Sequence, residues 1–89
     1  MDRATFEAEL VCDGYAVRES SLPANHNNAD HVHDFDARLL VLSGEISVTY
    51  GGQTETCRAG DSFALAANTV HFETVGPDGV AYVAGRRTA

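Results

Sequence analysis

Two histidines one residue apart, His31 and His33, are the residues of this chain best suited to chemistry. On an extended segment, residues i and i+2 point to the same face, so both imidazoles can reach one centre. A third histidine, His71, lies forty residues on, within an apolar stretch bounded by turn signals. Three neutral imidazoles drawn from two strands hold a divalent transition metal and leave coordination positions open. The spacing points to His31, His33 and His71 as ligands of one divalent transition metal. The alternative is a polar pocket without metal, in which the same three rings hydrogen-bond a ligand.

The elements that must position these rings are short and β-rich. The first 14 residues predict a helix, with Phe6, Leu10 and Val11 apolar among helix formers and Gly14 as its stop. A helix this short needs a docking surface, so Phe6 and Leu10 are expected to cover an open edge or end of the β-rich remainder. From residue 15 to 89 the texture is that of strands and turns. Tyr15 to Leu22 is a candidate strand ended by Pro23, and Asn25 to Asp30 has loop composition. His31 to His33 reads as a short strand, and Arg38 to Leu42 as one buried on both faces. Ser43-Gly44-Glu45 is expected to turn, followed by an alternating strand from Ile46 to Tyr50. Gly51-Gly52 is a two-residue hairpin signal, with a return strand to Arg58. Turns are expected at Ala59 to Asp61, at Ala67-Asn68 and at Gly76 to Gly79, with strands at Val70 to Val75 and Val80 to Val83. Roughly eight short strands at this spacing predict an all-β fold, a single antiparallel sandwich or barrel. The expected core is Leu39, Val41, Ile46, Val48, Phe63, Leu65, Phe72, Val80, Tyr82 and Val83. Arg86 and Arg87 are expected to be solvated.

These motifs resemble those of the cupins, whose fold is a small jelly-roll β-barrel. The first cupin motif carries a glycine, a His-x-His pair, a glutamate and a closing glycine. Here His31 and His33 match the pair and Gly44 the closing glycine, while Asn25 stands at the first glycine and Ala37 at the glutamate. In the second motif Gly60 and His71 match, and Ala66, Asn68 and Val75 replace a proline, a glycine and an asparagine. Asn68 is a mild change, because asparagine tolerates a left-handed backbone. The resemblance covers nearly all of the chain after the helix. It implies a single-domain cupin barrel, a three-histidine metal site and a homodimer.

Ala37 is the departure that matters, because alanine cannot bind metal. A three-histidine site looks like the iron sites of the cysteine and β-diketone dioxygenases. Loss of the carboxylate leaves such a centre one charge more positive, which favours an anionic ligand. The resemblance thus implies a metal-binding cupin for a small anionic metabolite, with dioxygen-dependent oxidation as its enzymatic form. A non-catalytic small-molecule binding or sensing module is the alternative. Glu73 shares the parity of His71 and is the candidate replacement for the glutamate, and His26 is a solvated loop histidine or a further supplement. Asp34 and Asp36 should face away from the site. Arg38 should also face away and pair with Asp36 or Glu45, and Arg58 is ambiguous.

Composition narrows the partners. The net charge is −7 and every fixed cation is an arginine. The acidity argues against nucleic acid as a partner, since contacts along a phosphate backbone need a basic face. The charged first residues lack a signal-peptide core, and no apolar run reaches the ~20 residues of a membrane helix. Cys12 and Cys57 are read as unpaired buried or half-buried thiols in a reducing compartment. The expected protein is cytoplasmic and bound to no membrane.

Overall fold

In the computed structural model, which describes residues 1–88, one helix packs on an antiparallel sheet of six strands. Helix α1 runs Arg3–Cys12. The strands are β1 (Ala16–Leu22), β2 (Asn27–His31), β3 (Phe35–Tyr50), β4 (Gln53–Arg58), β5 (Ser62–Leu65) and β6 (His71–Thr88). The main order is β1-β6-β3-β4, with β2 added to β6 and β5 to β3. Fold and helix agree with the all-β barrel expected, and the similarity to a jelly roll is plain in the two long strands that serve both halves of the molecule.

Local chemistry sets the ends of α1. The Asp2 carboxylate accepts from the Thr5 backbone N–H at 2.9 Å and from its hydroxyl, capping the first turn. At the other end Gly14, at φ +81°, lets the Tyr15 N–H reach the Leu10 carbonyl and its own N–H reach Val11. That pair of bonds is a Schellman termination, and Tyr15 packs with Leu10 as the motif favours. Phe6 and Leu10 are fully buried against Leu40 and Val83, a register pair of β3 and β6. The helix therefore covers the outer face of the sheet. Val11 lies off that stripe and is exposed. Arg38, two residues before Leu40, faces the helix too. It donates to Glu9 at 3.2 Å and stands 5.0 Å above the Phe6 ring. Asp36 and Glu45, its expected partners, are instead held by Arg87 and Arg58.

Alternation along β3 splits the core in two. Leu40 joins the helix, while Leu39 and Val41 point into the barrel with Ile46, Val48, Phe63, Leu65, Val75 and Val80. This is the strand buried on both faces that the apolar run predicts. Phe72, expected in the core, is 39% exposed. It lies between His71 and Glu73, so a strand that turns those two inward turns Phe72 outward. Cys12 is exposed and Cys57 buried, and the two are unpaired, so the half-buried reading fails for Cys12.

The expected turns at Gly44 and at Gly76 to Gly79 do not break the chain into separate strands. Both lie within β3 and β6, which stay paired across register shifts at Val41/Ser43 and Gly44/Ile46. Gly44 has φ +77°, and the register shift beside it leaves three extra residues on β6, between Val75 and Val80. A Cβ there would stand 1.9 Å from the Gly79 carbonyl oxygen. Two glycines thus let two long strands bend past one another, and eight expected strands become six. Asn25 to Asp30 also departs from expectation. Its loop composition is overridden by pairing of β2 with β6, where Asn27 meets Thr74 and Asn28 meets Glu73. Gly51-Gly52 forms the expected hairpin turn, with both φ positive.

Two substitutions test this packing in urea unfolding. Gly44→Ala should lower stability by about 2 kcal/mol or more, from backbone strain and the clash with Gly79. Leu10→Ala should cost about 2–5 kcal/mol, and an unchanged midpoint would show that α1 is not docked.

Candidate metal centre

Strand pairing brings the histidines together. His31, at the end of β2, is the register partner of His71, at the start of β6. His33 lies just beyond β2, outside the ladder, which shortens the expected strand by two residues. Its carbonyl accepts from the Asn68 N–H at 2.7 Å, tying it to the turn that precedes His71. Asn68 takes φ +65° in that turn. Asp36 reinforces the same junction. It accepts from the Ala67 N–H and from Arg87, and both bonds, the backbone one first, hold its carboxyl below the usual carboxylate range. Ring centroids are then 4.2 Å apart for His31 and His71, 4.7 Å for His33 and His71, and 5.1 Å for His31 and His33. One nitrogen from each ring lies within 4.8 Å of the others.

Backbone carbonyls orient two of these rings in the same way. His31 Nδ1 lies 2.7 Å from the Ala29 carbonyl oxygen, and His71 Nδ1 lies 2.9 Å from that of Thr69. A carbonyl only accepts, so Nδ1 carries the proton in both rings. In the neutral ring Nε2 is then left with a bare lone pair facing the cluster. His71 is 2% exposed, and its Nε2 is a buried polar atom with no hydrogen-bond partner. Such an atom calls for an explanation, and an ion at the cluster centre supplies one.

Glu73 enters the same space. Its Oε1 stands 3.4 Å from His31 Nε2 and 3.7 Å from His71 Nε2. Donors about 2.1 Å from a shared ion at tetrahedral angles lie about 3.4 Å apart. The carboxylate and the two lone pairs repel at this distance unless a cation or proton stands between them. The donor set therefore fits a divalent metal. Burial, with His71 and His31 close by, pushes the His33 imidazole below its ordinary pKa, which favours the neutral, ligating form.

The rings open onto a cavity of about 210 Å³ whose walls include Phe63 and Leu65. Ala37 lines it as well. His26 does not join them. Its Nε2 lies 2.7 Å from Asn28 Oδ1, in the loop before β2. Asp34 sits on a bend outside the strands, and Asp36 is turned to Ala67 and Arg87, so both leave the cluster as expected. Arg86 and Phe35 are the residues that sequence reasoning missed. Both line the cavity, and the Phe35 ring stacks on His33 at 4.5 Å and 6°. Arg86 shares the parity of Val80 and Tyr82, a signal hidden because the last strand was expected to end at Val83.

Comparison with known proteins agrees with this geometry. The profile of the cupin domain matches residues 18–81. A structural genomics protein of unknown function from Rhizobium leguminosarum superposes with TM-score 0.80 at 14% identity, over 86% of this chain and 73% of that one. A cupin superfamily protein from Desulfitobacterium hafniense gives 0.73 at 16%, over 84% and 68%. An RmlC-like cupin from Shewanella frigidimarina gives 0.73 at 21%, over 84% and 67%. At such identities the likeness is one of fold. No protein of curated function matches the sequence.

The ring orientation has a spectroscopic consequence. At about pH 8, above the ordinary imidazole range, long-range ¹H–¹⁵N spectra of metal-free protein should show the Nδ1–H tautomer for His31 and His71. Nε2–H signals at either ring would contradict the carbonyl contacts.

Proposed function

The chain belongs to the cupin family, and from that membership and its imidazole cluster we propose a metal-binding cupin that takes a small anionic metabolite. His31, His33 and His71 hold the ion, and Glu73 stands as fourth donor in place of the residue lost at Ala37. One observation carries this reading: the buried Nε2 of His71 has no partner and faces two imidazoles and a carboxylate. A bound Fe, Mn, Ni or Zn ion supplies Lewis-acid chemistry, and for Fe or Mn redox chemistry, with positions left open to a ligand. The chain's own part is to aim the rings through Ala29 and Thr69, and to keep water from the donors with Phe63 and Leu65.

Oxidation of the bound metabolite by dioxygen is the enzymatic form of the proposal. A binding or sensing module is the second reading. It is favoured by one feature: Glu73, the one carboxylate among the described cavity-lining residues, is already engaged with two imidazoles. The proposal also includes a homodimer that covers β1 or β4, which end the strand path, and a cytoplasmic location, where Cys12 and Cys57 stay reduced. Light scattering at twice the mass of one chain checks the dimer.

Metal analysis tests the site. Wild type should hold one ion per chain, and His71→Ala should lose it while circular dichroism stays that of a folded barrel. Glu73→Gln should weaken binding about 10–100-fold, and adding Ala37→Glu should recover part of the loss. Equal metal content in wild type and His71→Ala would refute the assignment. Oxygen uptake against small acids, diketones and thiols separates the two readings: metal-dependent uptake supports the enzyme, and its absence with stoichiometric metal supports the binding module.

A further inference from the structure

All the fixed positive charge of the chain lies on six arginines. Four of them close onto carboxylates: Arg3 onto Glu19, Arg38 onto Glu9, Arg58 onto Glu45 and Arg87 onto Asp36. Among the described residues, Arg18 and Arg86 meet no carboxylate, in a chain with thirteen acidic residues against six arginines. The two are neighbours. Arg18 of β1 is the register partner of Ala84, and Arg86 lies two residues further along β6 on the same face. They are therefore diagonal neighbours on one side of the sheet. With Ser20, Tyr82 and Ala84 they line a second cavity of about 220 Å³. Tyr82, Ala84 and Arg86 also line the imidazole cavity, so the two hollows share a wall.

Arg86 is held in place. Its guanidinium stands 4.8 Å over the Phe35 ring, which in turn stacks on His33. Its register neighbours Ala37 and Ala16 carry only methyl groups and leave it room. Both arginines are exposed on that face, within reach of an anion from solvent. An oxyanion lodged between two guanidinium groups accepts several charge-assisted N–H bonds.

We propose that Arg18 and Arg86 form a subsite for a terminal oxyanion of the ligand, a carboxylate or a phosphate, beside the imidazole cluster. That the ligand's other end reaches the imidazoles rests on the function proposed above; anion capture by the arginines does not. The subsite also gives an anionic ligand a basis other than the carboxylate missing at position 37, a charge that Glu73 returns to the cluster.

Calorimetric titration of the full chain with inorganic phosphate and, separately, with succinate tests the subsite. At least one anion should bind in a 1:1 ratio, and which one does so separates phosphate from carboxylate ligands. Arg18→Gln and Arg86→Gln should each weaken it about tenfold or more, as expected from losing a charge-assisted hydrogen bond, with metal content unchanged. His71→Ala should keep the anion while losing the metal. Failure of wild type to bind either anion, or wild-type affinity in either arginine variant, overturns the subsite. A wild type without metal but with arginine-dependent anion binding would overturn the metal centre and leave the subsite standing.

Discussion

The interaction on which the site depends is the pairing of His31 with His71 across β2 and β6. Each ring is pinned by its Nδ1–H to the carbonyl two residues earlier, on Ala29 and Thr69. Those bonds leave both Nε2 lone pairs directed at a common point, with Glu73 Oε1 beside them. Backbone geometry, set by the strand ladder, thus decides which ring nitrogen carries the proton. Three acceptors brought this close repel one another unless a cation or a proton stands between them.

Holding such a cluster requires a scaffold that resists it. Strands β3 and β6 run through both halves of the barrel and bend at bulges instead of ending in turns. Gly44 and Gly79 make the bend possible, since their backbones approach too closely for a Cβ on Gly44. The helix seals the opposite face through Phe6 and Leu10, so that Leu40 and Val83 are buried although they point out of the barrel. A chain of this size gains much from such a second small core, because its single interior is limited.

Charge is distributed with equal economy. Most arginines neutralise carboxylates that tie the helix, the hairpin or the β3–β6 pair together. The exceptions gather at the cavity, where Phe35 links Arg86 to His33. The imidazole cavity thus holds a carboxylate beside the rings and shares a wall with the hollow that Arg18 and Arg86 line.

Much of this was legible in residue order. The shared face of His31 and His33 and the Gly51-Gly52 hairpin were legible because short-range parity and turn chemistry are local properties, whereas the cupin barrel and the place of His71 in it were anticipated from the resemblance of Gly44, Gly60 and His71 to the cupin motifs. Phe6 and Leu10 likewise announced a docked helix. Other features were decided only by the tertiary fold. Asparagine-rich β2 became a strand because β6 offered it a free edge, and Gly44 and Gly79 became bulges because their strands pair through them. Arg38 turned to Glu9 because the helix lies above it, and Arg86 reached the cavity because β6 continues to Thr88. Local sequence states what a residue prefers, whereas strand partners and charge partners depend on which distant segment arrives beside it, and that is settled only when the chain has closed on itself.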